Sequence, residues 1–199
     1  MMLNTEDLIT EILNSFARLD YIKPEEIPNI DLYMDQVTTF MDSRLASSRR
    51  YDSDKILTKT MINNYAKNKL LPPPVKKKYS RNHMLMLIFI YYFKNLLSIN
   101  DIQKILSPIS EKYFQTEGEL NLEALYEEVF SLEKSEIEGL KEDVLAKFQE
   151  SRNTFREAPE EDQDFLQLFA FICMLSYDIY VRKQIIEKLI DNALEDNPR

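Results

Sequence analysis

Apolar residues recur along this chain with a spacing near 3.6 and almost nowhere with a spacing of two, so the pattern predicts helices rather than strands. Leu8, Ile9, Ile12, Leu13, Phe16 and Leu19 make one stripe over residues 5–20, with Thr5 as N-cap and Glu6 and Asp7 in the first turn. A linker with Pro24 and Pro28 follows. A second helix is predicted from Leu32 to Leu45, with Leu32, Val37, Phe40, Met41 and Leu45 facing inward. Ala46 to Asp54 is small and polar and reads as a loop.

The segment from Thr58 to Leu71 says most. At 100° per residue Met61, Ile62, Tyr65 and Ala66 share one face, and Thr60, Asn63, Asn64 and Lys67 share the other. That outer face holds two amides, a hydroxyl and a cation, and no acid. Asparagine is a poor helix former, so two adjacent copies on an open face are locally unfavourable. Drift near a helix end is the bland reason for them; amides that donate and accept at base edges, Asn to adenine above all, are the sharper one.

Pro72, Pro73 and Pro74 stop this helix, and Val75 to Tyr79 (V-K-K-K-Y) reads as a short hairpin or loop. Ser80 caps the next helix, which from Met84 to Leu97 is apolar nearly all round and must be covered on both sides. Ser98 and Asp101 form a capping box that opens a short helix to Leu106. Past Pro108 the chain turns acidic but stays helical. Leu122, Leu125, Val129 and Phe130 are helically spaced, as are Ile137, Leu140, Val144, Leu145 and Phe148. Pro159 breaks the pattern, and a last helix runs from about Glu161 to Ala193, apolar in its first half and amphipathic in its second. There is no internal repeat. The expected division is an N-terminal helix and linker (1–26), a central domain (27–108) and an acidic helical domain (109–199).

Composition narrows the chemistry. Only two glycines, Gly118 and Gly139, occur in 199 residues, so no phosphate loop of the GxGxxG or Walker type exists here. His83 and Cys173 are the single members of their types, which excludes the common zinc sites and any intramolecular disulfide. No signal-peptide pattern precedes the first helix, and the greasy stretches 84–93 and 165–181 are respectively too short and too interrupted to span a bilayer. A cytoplasmic protein without membrane contact is expected.

Charge is distributed unevenly. The net charge is −9, yet residues 44–83 hold eleven basic residues against Asp52 and Asp54, a window of +9 in a chain that is otherwise −18. A basic block is usually a solvated surface. Here it coincides with a helix, a proline-stopped turn and a lysine triplet, a geometry that can present cations to phosphates.

From Thr58 to Leu106 the chain resembles the mercury-resistance-regulator (MerR) type of winged helix-turn-helix. The residues that carry the resemblance are M-I-N-N-Y-A-K-N-K-L-L-P-P-P, then V-K-K-K-Y-S, then L-I-F-I-Y-Y-F-K-N-L-L-S-I-N-D-I-Q-K-I-L. With I-D-L-Y-M-D-Q-V and L-T-K-T-M-I-N-N-Y, the chain from about Ile27 onward is closer still to an uncharacterised bacterial family, domain of unknown function 1836. The resemblance implies an all-α winged helix-turn-helix with a very short wing, followed by a helical C-terminal part. It makes residues 58–69 the major-groove reader, Tyr65 a phosphate-contacting tyrosine, Lys76 to Lys78 the wing and Tyr79 its closing aromatic. Asn63 stands where that family keeps an arginine, Asn64 replaces a tyrosine, and about a dozen extra residues, including Arg49 and Arg50, precede the reader helix.

Enzyme chemistry has little to build on. His83 reads as a surface or wing-packing residue, and Cys173, in F-A-F-I-C-M-L, as a buried small hydrophobe. Glu123, Glu127 and Glu128 have helical spacing but no histidine partners, so a solvated face outweighs a metal site. Tyr91, Tyr92 and Phe93 read as core before they read as an effector pocket. The expected function is therefore sequence-specific binding of double-stranded DNA by a transcriptional regulator, not an enzyme and without cofactor or metal. Thr60, Asn63, Asn64 and Lys67 would read bases. Lys59, Tyr65, Lys76, Lys77, Lys78 and Arg81 would hold phosphates, with Tyr79, Arg49 and Arg50 beside them. A homodimer joined through residues 161–193 is expected, with room for an effector in the C-terminal part. The alternative is a protein-interaction adaptor or anti-repressor, which an acidic bulk favours.

Overall fold

A computed structural model of the chain describes residues 5–16 and 22–194. The elements, in order, are α1 (Thr5–Phe16), β1 (Leu32–Tyr33), α2 (Met34–Arg44), α3 (Lys59–Lys67), β2 (Lys78–Tyr79), α4 (Arg81–Phe93), α5 (Ile99–Tyr113), α6 (Leu122–Ser151) and α7 (Glu160–Ala193). The protein is mostly α-helical, and the one sheet among the described residues has two strands of two residues each. The described residues fall into two compact units, one of 22–130 with 190–194 and the other of 5–16 with 131–189.

In the larger unit α4 is the axis of the core. His83 through Tyr91 are all buried, which the all-round apolar pattern requires. Val37 and Met41 of α2, Ile62 of α3, Ile102 and Leu106 of α5, and Leu122 and Tyr126 of α6 are buried as well. An aromatic cluster of Phe89, Tyr92, Phe93, Tyr126 and Phe130 packs with ring centroids 4.4–6.5 Å apart. Tyr91, buried, bonds through its hydroxyl to Ser48. The Tyr126 hydroxyl donates to the Ile22 carbonyl at 2.7 Å, so a buried phenol finds a partner across 104 residues of sequence.

Several elements depart from the sequence pattern. Leu32 and Tyr33 begin no helix but pair antiparallel with Tyr79 and Lys78. Tyr33 is the N-cap instead, and its N–H donates to Gln36 Oε1 at 2.8 Å. The helix expected to stop at Leu106 runs to Tyr113 through Pro108, and its far end is held where Asn82 Nδ2 donates to the Phe114 carbonyl at 2.6 Å and the His83 ring packs edge-on against Phe114. α4 ends at Phe93 rather than near Leu97. The Ser98–Asp101 cap is present as expected: Ser98 Oγ accepts from the Asp101 N–H at 3.2 Å.

In the smaller unit, Ile9 and Leu13 of α1, Phe148 of α6 and Phe171 of α7 form one buried cluster, with Val144 and Leu175 against it. Leu8 and Ile12, expected on the same inward stripe, are exposed. The last turn expected for the first helix, with Leu19, lies outside the described residues. The rare residues bring one correction. Cys173 is exposed, because the inward line of α7 runs through Gln167 and Phe171 and leaves residue 173 to one side. Of the two readings of His83, the surface one fails and the wing-packing one holds: it is buried and packs edge-on against Tyr79 at 5.5 Å and Phe114 at 4.8 Å.

Candidate nucleic-acid interface

α3 is short, and local chemistry fixes both its ends. Thr58 Oγ1 accepts from the Met61 N–H at 3.1 Å and so caps the first turn. At the other end the Leu70 N–H donates to the Tyr65 carbonyl at 2.9 Å and the Lys69 N–H to Ala66 at 3.2 Å, with Lys69 in the left-handed region at φ 59°. That is a Schellman stop in which lysine occupies the position glycine usually takes. Leu70 and Leu71 then bury themselves and fix where the prolines lead the chain.

Between these ends the helix has two faces of different chemistry. Ile62 and Tyr65 are buried and Met61 and Ala66 half-buried. Lys59, Thr60, Asn63, Asn64 and Lys67 are exposed, and the helix carries no acid. Lys59 is paired to Asp35 of α2, but both side chains are largely in water, where such a pair is weak.

After the prolines the chain makes the tightest hairpin available. The Val75 N–H donates to the Lys78 carbonyl at 3.1 Å and the Lys78 N–H to Val75 at 2.9 Å. The two residues between them, Lys76 at φ 50° and Lys77 at φ 65°, have the backbone of a type I′ turn, which favours Asn-Gly. Both lysines are exposed at the tip. Lys78 turns back over the Tyr33 ring, its Nζ 5.3 Å from the centroid. The hairpin's base is held by Tyr79 and by His83, whose Nδ1 accepts from the Ser80 N–H at 3.0 Å. His83 Nε2 is buried without a hydrogen-bond partner, and the Pro72 and Pro73 carbonyls act on the ring. Burial lowers the pKa of His83 below the ordinary imidazole value, partly offset by those carbonyls and by Asp31.

The expected site residues therefore separate into groups. Thr60, Asn63, Asn64, Lys67 and Lys59 share the open face of α3, and Lys76 and Lys77 form the hairpin tip. Tyr65, on the inner face its spacing predicted, and Tyr79, at the close of the hairpin, are core residues at 5% and 3% exposure rather than presented to a ligand, and burial raises the pKa of each phenol. Arg81 is tied to Glu123 at 2.8 Å, and Arg49 to Asp42 at 2.9 Å, so neither guanidinium is presented as a free cation. Arg50 is exposed with its guanidinium 5.2 Å from the Tyr51 ring. Sequence reasoning passed over Lys69, exposed at the stop of α3, and Tyr33, the ring under Lys78. The first had a signal in the basic window; the second had none, because it depends on a strand pairing.

These features define a mostly helical protein with a minimal sheet and an acid-free polar helix face turned to solvent. The chain belongs to the family described as Domain of unknown function (DUF1836), whose model matches residues 22–129 and so takes in β1, α3 and the hairpin. No curated protein and no solved structure matched the chain.

Proposed function

We propose that this protein is a sequence-specific double-stranded DNA-binding transcriptional regulator of the MerR-like winged helix-turn-helix type, acting in the cytoplasm as a homodimer. α3 enters the major groove, where Asn63, Asn64, Thr60 and Lys67 meet base edges. Lys59, Lys76 and Lys77 lie against phosphates, and Lys78 braces the wing on Tyr33. Tyr65 and Tyr79 act from inside, one anchoring the reader helix and the other the hairpin. The observation that carries this reading is the hairpin tip: two lysines occupy left-handed backbone that asparagine and glycine adopt at less cost. Strain kept at an exposed position points to a function for the side chains that cause it. The amide and cation face of α3 supports the same reading, since Asn pairs bidentately with adenine and B-DNA's major groove admits a helix.

Fluorescence anisotropy with labelled duplexes, random and upstream genomic, at two salt concentrations tests it. Binding should weaken steeply with salt and favour some upstream fragment. Asn63→Ala should lose about 1–3 kcal/mol of discrimination at one or two base pairs while non-specific affinity stays. Absence of binding at low salt overturns the proposal in favour of an adaptor that docks a protein on the same shape.

A further inference from the structure

Residues 45–58 join α2 to α3, where an ordinary helix-turn-helix spends about three or four. A connection of that length leaves the place of α3 open unless other contacts fix it. The end of α4 supplies them. Tyr91 and Lys94, the C-cap, lie three residues apart and so on one side of the helix, with Lys94 Nζ 4.9 Å from the centre of the Tyr91 ring. The buried Tyr91 hydroxyl meets that of Ser48, which donates in turn to the Leu45 carbonyl at 2.6 Å. Lys94 Nζ donates to the Ile56 carbonyl at 2.6 Å, and Ile56 and Leu57 are buried. Between these two holds the chain closes a turn of its own: the Tyr51 N–H donates to Asp54 Oδ2 at 3.0 Å and the Asp54 N–H to the Tyr51 carbonyl at 2.9 Å. The cap of α3, Thr58, thus stands two residues past a carbonyl that α4 grips from across 38 residues of sequence.

We infer that Lys94 is a positioning residue for the reader helix: by holding the Ile56 carbonyl it sets where α3 begins and how the row of Thr60, Asn63, Asn64 and Lys67 is turned toward base edges. This rests on the DNA-reading role proposed above for α3. A helix of nine residues is below the roughly 12–15 at which an isolated helix becomes even marginally stable, so α3 takes its place from what surrounds it. From Ile56 onward the chain has little slack, because Ile56 and Leu57 are buried and Thr58 Oγ1 accepts from the Met61 N–H at 3.1 Å. A shift at the Ile56 carbonyl therefore passes into α3 as a slide or rotation of its outer face. Recognition through paired hydrogen bonds tolerates displacements of only about 0.5 Å. Lys94 is not itself offered to a phosphate, since its Nζ is taken by the carbonyl and lies against the Tyr91 ring. Burial lowers its pKa below the ordinary lysine value, so the charged form loses hydration there and is met by the Ile56 carbonyl and the ring instead.

Lys94→Met keeps the apolar stem beside Tyr91 and removes the donor. Amide hydrogen exchange of the full chain should then quicken about tenfold or more at Met61 and Ile62, the first bonded amides of α3, which is the worth of one charge-assisted bond. The buried amides of α4 should exchange as before, and Lys94→Arg, which keeps a donor at that place, should restore α3. In anisotropy titrations Lys94→Met should weaken binding to the preferred duplex about tenfold, the scale of one misplaced base contact. Affinity for random duplexes and its salt dependence should stay as in the wild type. Unchanged exchange in α3 overturns the proposal, and so does a uniform rise across the chain or loss of the fold, either of which makes Lys94 merely structural. A salt slope flatter by about 0.9 also overturns it, because Lys94 would then neutralise a phosphate itself. A wild-type chain that binds no duplex removes the DNA reading and leaves the hold on α3 to be decided by the exchange data alone.

Discussion

Replacing Lys76 by Asn and Lys77 by Gly sets folding and the proposed DNA contact against each other at two adjacent positions. Both lysines have positive φ, 50° and 65°, and a left-handed L-residue costs roughly 1–2 kcal/mol. Asn tolerates this backbone and Gly adopts it freely, so the double variant should be more stable by about 1–3 kcal/mol. In a chain of this size that raises Tm by roughly 2–4 °C per kcal/mol. The same change removes two exposed cations. If each touches one phosphate, the slope of log affinity against log salt should flatten by about 0.9 for each phosphate no longer neutralised, on random and preferred duplexes alike. Thermal unfolding by circular dichroism and anisotropy titrations at several salt concentrations read the two effects on one sample. A variant that gains stability and keeps the wild-type salt slope removes the hairpin tip from the interface. A variant that loses stability refutes the type I′ turn on which the strain argument rests.

Other outcomes follow from the same geometry. Tyr126→Phe leaves the Ile22 carbonyl buried without its donor and should cost about 1–3 kcal/mol in urea unfolding, with unchanged binding to any ligand of α3. Lys69→Gly relieves the left-handed stop of α3 and should stabilise by about 1 kcal/mol; a loss of stability would contradict the Schellman assignment. His83 has a pKa lowered by burial, so the unfolded chain binds its proton more readily than the folded one. Its contribution is full above the unfolded value of about 6.5 and is lost as pH falls from there through the folded value. Tm should drop over that interval in the wild type and drop less in His83→Gln, as followed by calorimetry; parallel curves would refute it.

The helices, their breaks at Pro72–Pro74 and Pro159, the cap at Ser98 and the two faces of α3 were legible in the sequence. Each depends on groups within four residues of one another, and local spacing records such relations completely. The burial of α4 was legible for a related reason, since a helix apolar all round has one stable place. What the tertiary structure alone decided joins residues far apart. Leu32 and Tyr33 carry no strand signal and become one because the hairpin arrives beside them. That pairing holds Tyr79 inside and sets Tyr33 under Lys78. The basic window showed where cations were concentrated but not which were already neutralised, because Glu123 and Asp42 reach Arg81 and Arg49 through the fold. Cys173 and its apolar neighbours show the same limit. Hydrophobic spacing marks a helix as needing cover, and the number of partners packed in the single chain decides which face of α7 remains without it.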